Sequence, residues 1–153
     1  PTYKNSYLQL GNCYNYLKEY EKSIANYQKV LSMDPNDDNA LNNLGITYRD
    51  AGRYYGEQKG DLATAISYLE KAYQLKPNDY EVLRLLGVAH GVSGRKDKAI
   101  DFFTKALAVN PENSDALWNL GNAYSLNAEE ERGETFRQRA IAIDPQVATR
   151  NRK

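Results

Sequence analysis

Pro35, Pro77, Pro111 and Pro145 punctuate this chain, the last three at intervals of 34 residues and the first pair 42 apart, longer by eight. Other residues keep the same period. Leu10-Gly11, Leu44-Gly45, Leu86-Gly87 and Leu120-Gly121 recur in step, each followed by Tyr14, Tyr48, His90 or Tyr124 and then by a small residue, Ser23, Ala65, Ala99 or Gly133. A fixed period of about 20–50 residues is built as stacked copies of one unit, because each copy buries its apolar face only against a neighbour. The units run 4–37, 38–79, 80–113 and 114–147, the second enlarged by an eight-residue insertion at 53–60, and together they make a single domain over 1–153.

Within a unit the apolar spacing is helical twice over. In the first unit Tyr7, Leu10, Gly11 and Tyr14 share one helix stripe, and Ser23, Tyr27 and Val30 share another. The glycine and the small residue let two antiparallel helices approach closely, and the proline ends the second helix by removing an amide donor. Two departures stand out. The inserted segment carries Gly56 and Gly60, which argue against one continuous helix, so 53–60 reads as an enlarged loop with Tyr54 and Tyr55 at its root. In the last unit Arg137 stands where Tyr27, Leu69 and Phe103 stand earlier, Gly133 weakens the helix, and no polar capping helix follows Pro145. A rotated or frayed final helix, an uncapped end and exposed Ile141 and Ile143 are therefore expected.

A period of 34 carrying Leu-Gly, an aromatic, a small residue and a proline resembles the tetratricopeptide repeat family. The resemblance implies an all-α, right-handed α-solenoid of about four helix pairs whose first helices line a concave groove. On that basis Asn12, Asn39, Asn43, Asn119 and Asn122 would grip the backbone of an extended peptide, since an amide side chain offers both donors and an acceptor. Arg49 and Arg84 would meet acidic side chains, and Leu85, Val88 and Trp118 would supply apolar contact. Val92 and Leu126 fall at groove-facing places as well. Part of the pattern is similar to the asparagine ladder of O-linked N-acetylglucosamine transferase repeats, which Asn43 and Asn119 match and Gln9 and Leu85 interrupt. Against the carboxylate clamp of chaperone-binding repeats, Asn12 and Asn43 match, but Leu8, Glu81 and Leu85 replace the three cations. Tight binding of acidic chaperone C-termini is not expected.

Composition narrows the functions further. Twenty basic residues balance twenty acidic ones, so the chain lacks the cationic excess of a nucleic-acid binder. The small basic tail of Arg150, Arg152 and Lys153 reads as a solvated end. No apolar run reaches the roughly 18 residues of a membrane span, and no leader pattern is present. Cys13 is the only cysteine, which rules out an internal disulfide, and it reads as a small residue packed in its helix pair. With one histidine, His90, at an aromatic packing position, the spacing of a zinc site is missing, and no glycine-rich phosphate loop occurs. Glu129, Glu130 and Glu131 sit where a helix begins and favour its dipole. The sequence thus points to a non-enzymatic module, without cofactor or metal, that binds a peptide segment or helix of another protein. Two alternatives are an assembly or spacer module that self-associates through its end and the inserted loop, and an accessory repeat region of a larger multidomain protein.

Overall fold

The structure is a computed structural model describing residues 2–150. Arg152 and Lys153 of the basic tail lie outside the described residues. Among those residues nine helices follow one another: α1 (Thr2–Tyr16), α2 (Tyr20–Met33), α3 (Asp38–Glu57), α4 (Leu62–Leu75), α5 (Tyr80–Val92), α6 (Lys96–Val109), α7 (Ser114–Leu126), α8 (Glu130–Ile143) and the short α9 (Val147–Arg150). They form two compact units dividing after Pro77, α1–α4 in the first and α5–α9 in the second. In the first, α1 pairs with α2 and α3 with α4, and α2 also packs on α3. In the second, α5 pairs with α6 and α7 with α8, with α6 also against α7.

Local chemistry sets the helix ends. Asp37, Asp61, Asp79 and Asn113 cap α3, α4, α5 and α7 by accepting the backbone N–H of Ala40, Thr64, Val82 and Ala116. Lys4 Nζ lies 2.7 Å from Asp37 and 3.0 Å from Asp34, tying the start of α1 to the α2–α3 turn and holding the Asp37 carboxyl below its usual range. Helices α1, α5 and α7 end in Schellman turns. In α1, Lys18 N–H reaches Asn15 O at 3.0 Å and Glu19 N–H reaches Tyr14 O at 2.9 Å, and the same pair of bonds closes α5 and α7.

Aromatic rings laid against glycine hold the pairs close. A Cβ on Gly11 would sit 2.6 Å from the Tyr27 ring, and one on Gly87 would sit 2.6 Å from the Phe103 ring. In the last pair the contact is backbone to backbone, for a Cβ on Gly133 would meet Gly121 O at 2.6 Å. That approach explains Gly133, which the sequence marked as a weak point.

Both departures resolve differently from the sequence reading. The insertion is largely helix, not loop: α3 continues through Gly56 to Glu57, and only 58–61 connect it to α4. Tyr54 packs on Tyr20 (centroids 5.6 Å apart) and Tyr55 stacks on Tyr68 (5.6 Å), while both Tyr55 and Tyr68 hydroxyls donate to Glu21 Oε1. Those contacts outweigh a helix-interior glycine, which costs about 1 kcal/mol relative to alanine. The final helix is likewise intact. Phe136 stacks on Tyr124 at 5.5 Å, taking over the apolar role one residue before Arg137. The Arg137 guanidinium bonds Glu130 (2.6 Å), Glu134 (2.7 Å) and Ser125. Nor is the end bare: Val147 is fully buried against Leu117 and Ala140, and Arg150 pairs with Asp115 (2.8 Å) and Asp144 (2.9 Å). Ile141 is half-buried, and only Ile143 is exposed as expected.

Cys13 differs too. It is exposed, whereas Thr47, Ala89 and Ala123 at matching places are buried. Leu10 on the same face of α1 is 44% exposed, against 5% for Leu44 and 1% for Leu120. No described element covers that face.

Two predictions follow from the helix geometry. Lys18 and Ala128 occupy left-handed backbone, with φ of 61° and 62°, at Schellman places where α5 uses Gly94 at 73°. A side chain there costs about 1–2 kcal/mol, part of which glycine returns through unfolded-state entropy. Ala128→Gly should therefore raise stability by about 0.5–1 kcal/mol, and an unchanged or lower urea midpoint would refute this. The second contrasts two glycines of α5. A Cβ on Gly91 meets only Ala99 Cβ, at an ordinary 3.7 Å. Gly91→Ala should stabilise by up to about 1 kcal/mol, while Gly87→Ala, forced against Phe103, should destabilise by about 1–3 kcal/mol, both read by urea denaturation.

Candidate functional site

In the first unit the side chains of α1, α2, α3 and the end of α4 join in a directional chain of hydrogen bonds. Lys76 Nζ donates to Asn42 Oδ1 at 2.7 Å, Asn42 Nδ2 makes a long bond of 3.4 Å to Asn43 Oδ1, and Asn43 Nδ2 donates to Asn12 Oδ1 at 3.0 Å. Tyr27 reaches the same oxygen from below at 2.6 Å. Burial pushes the Tyr27 hydroxyl above its ordinary pKa, so it stays protonated and donates. With Oδ1 taking two donors, the Asn12 amide is held in one orientation and its Nδ2 is left to donate outward. Asn12 is exposed and Asn43 half-buried. The arrangement presents fixed N–H donors suited to a carbonyl or carboxylate. Deep under it, Ser23 Oγ donates to Gly11 O at 2.8 Å and lies 3.3 Å from Thr47 Oγ1.

In the second unit a concavity of about 160 Å³ opens between α5, α6 and α7. Its lining includes Val88, Val92, Phe103 and Leu126, with Asn119 and Asn122 beside them and Lys96 at one side. Neither amide bonds another side chain among the described residues. The two units therefore offer different surfaces, one of mutually fixed amides and one of an apolar hollow beside unengaged ones.

The expected site residues divide accordingly. Asn12 and Asn43 come together, as do Val88, Asn119 and Asn122, while Asn39 is exposed outside both groups. Arg49 bonds Asp50 at 3.1 Å, and Arg84 makes a bidentate pair with Glu81 at 2.7 and 2.8 Å, so both cations are already engaged with neighbouring carboxylates. Leu85 is 6% exposed and belongs to the core, where it offers almost no contact surface. Trp118 is half-buried against the cluster of Leu117, Ala140 and Val147. Sequence reasoning missed Lys76 and Tyr27 in the first group, and Gly91 and Lys96 in the second. Gly91 carried a signal, since Asn15, Arg49 and Ser125 stand at the matching places.

His90 is fully buried and stacks on Phe102 with ring centroids 5.5 Å apart, as a packing residue does. Among the described residues no group of three or more His, Cys, Asp or Glu could hold a metal ion. No helix among them is long and apolar enough to cross a membrane.

Comparison with known proteins agrees with the repeat geometry. Tetratricopeptide repeat models match residues 3–78, 58–102 and 93–148. The photosystem I assembly protein Ycf3 of Prochlorococcus marinus is 39% identical over 57 residues, which are 37% of this chain and 32% of that protein. The chain spans about a third or less of the length of the curated relatives it matches. Among solved structures, MamA superposes with a TM-score of 0.62 at 19% identity, covering 99% of this chain and 97% of MamA. YrrB, a TPR protein with an unusual peptide-binding site, superposes with a TM-score of 0.66 at 21% identity, covering 94% of this chain and 89% of its own. Repeat models spanning nearly the whole chain, with Leu-Gly pairs and closely paired helices where such repeats need them, make this protein a member of the tetratricopeptide repeat family, an all-α solenoid that serves as a protein-interaction scaffold.

Proposed function

We propose that the chain is a non-enzymatic adaptor that holds an extended segment of another protein on the faces of its first helices. The observation that carries this reading is the bonded set of Asn12, Asn43 and Tyr27, which fixes amide donors toward solvent before any ligand arrives. Preorganised donors lose little entropy on binding, so each backbone carbonyl captured returns more of its hydrogen-bond energy. YrrB, similar in fold, is itself described as binding peptide. An affinity near about 1 μM, roughly −8 kcal/mol, suits such a surface. The cations Arg49 and Arg84 serve this reading as orienting charges within neutralised pairs rather than as free carboxylate receptors.

Removing both amides without disturbing the core tests it. Asn12→Ala with Asn43→Ala should leave helicity intact and weaken a partner captured from lysate by about tenfold, or 1.4 kcal/mol. Equal affinity of the double variant and the wild type would move binding elsewhere.

A second reading, assembly through α1, is favoured by one observation. Tyr3 and Leu10 on α1, with Leu17 just past its end, stand 75%, 44% and 60% exposed, while Asp37, Leu44 and Ala51 at the matching places are buried. Such a surface suits another helix pair, from a second copy or from a longer array. Sedimentation velocity should then show association that rises with concentration and disappears in Leu10→Glu. A concentration-independent monomer would end this reading.

A further inference from the structure

We propose that the hollow between α5, α6 and α7 is a specificity pocket for one aliphatic side chain of a partner peptide, with acidic residues flanking that side chain. The inference rests on the adaptor reading and adds what the peptide must carry.

Shape comes first. Gly91 lies in the last turn of α5 with helical backbone, where glycine is less favourable than alanine, and no close contact requires it, since an added Cβ would meet only Ala99 at 3.7 Å. Gly87, one turn earlier, is needed for the Phe103 ring. What Gly91 supplies is empty volume. Asn15, Arg49 and Ser125 would fill the corresponding space on α1, α3 and α7. Gly91 is part of the wall of the hollow of about 160 Å³, and a side chain there would take up some of its space.

The lining then sets the chemistry. Val92 and Leu126 stand 68% and 61% exposed at the hollow, with the buried Phe103 behind them. Two large apolar side chains left in water beside a cavity favour an apolar occupant. Asn119 and Asn122 are unengaged and within the same lining, placed to hold the peptide backbone on either side of the anchor.

Charge supplies the flanking preference. The α5–α6 turn and the first turn of α6 carry Arg95, Lys96 and Lys98 against the single acid Asp97, and Lys96 lines the hollow itself. None of these three cations has an ion-pair partner among the described residues, unlike Lys4, Arg84, Arg137 and Arg150. A local positive surplus in an otherwise neutral chain complements side-chain carboxylates next to the anchor.

The test uses the full chain and fluorescein-labelled decapeptides with blocked termini. One carries a single Leu with two Glu on each side in a Gly-Ser background. The others replace Leu by Ala or every Glu by Gln. Fluorescence anisotropy should show saturable binding of the first, weakened about tenfold or more by either replacement. Gly91→Leu, which fills the hollow with the chain's own side chain, should reduce binding to the level of the Ala peptide, whereas Gly91→Ala should retain it. Lys96→Glu, at an exposed helix start that tolerates an acid, should abolish the preference for Glu over Gln and serves if Gly91→Leu fails to fold. Absence of saturable binding, equal binding of all peptides, undiminished binding by folded Gly91→Leu, or an unchanged Glu preference in Lys96→Glu would overturn the proposal. If the lysate partner is lost by the Asn12/Asn43 variant but kept by the pocket variants, the pocket falls and the adaptor reading stands. If both sets keep it, both fall.

Discussion

An aromatic ring pressed on a glycine backbone is the contact from which the rest of each unit takes its position. Tyr27 lies over Gly11 and Phe103 over Gly87, each so close that a single methyl on the glycine would overlap the ring. The consequences run outward. With α1 drawn down onto α2, the Tyr27 hydroxyl reaches the surface amide of Asn12, linking core and surface in one bond. With α5 drawn onto α6, Phe103 lines the hollow, and Gly91 leaves the space above Ala99 open. The ring is absent from two pairs: in α3–α4 the Leu69 side chain lies against Gly52, and in α7–α8 two backbones meet directly, with Arg137 taking the vacated place by bonding Glu130, Glu134 and Ser125. Close pairing is therefore conserved in geometry while its chemistry changes from ring to backbone.

How much of this was legible in the sequence depends on whether the information is local. Helix pairing, the punctuating prolines and the capping acids depend on spacing within a unit, and the 34-residue period displays them openly. The continuation of α3 through Gly56 does not. It depends on Tyr54 and Tyr55 finding Tyr20, Tyr68 and Glu21, residues far away in sequence whose contact no periodicity reveals. Arg137 misled for a related reason, because a cation at an apolar place reads as a defect until its acids and Phe136 are seen beside it. Cys13 and Leu10 have the same identity class as their buried counterparts, so only the absence of a covering helix explains their exposure. For the candidate site, the choice of the amides at Asn12, Asn43, Asn119 and Asn122 came from the family resemblance. Their state of engagement was not, nor was the burial of Leu85.

The contrast between engaged and idle amides suggests how the two surfaces divide recognition. In the first unit the Asn12 amide cannot turn without surrendering bonds from Tyr27 and Asn43, so on the adaptor reading it would select for an acceptor wherever along a peptide one is presented. Every peptide residue has a carbonyl, and such a surface holds chain direction and spacing rather than sequence. In the second unit Asn119 and Asn122 are held by no side-chain bond, and discrimination would pass to the hollow. An unfilled apolar cavity rejects small side chains because they leave its walls without contacts, and an adjacent cationic turn rejects neighbours of its own sign. On the adaptor reading, fixed donors in one unit and a shaped cavity in the other would separate affinity from selectivity. A side chain at Gly91 would change only the second.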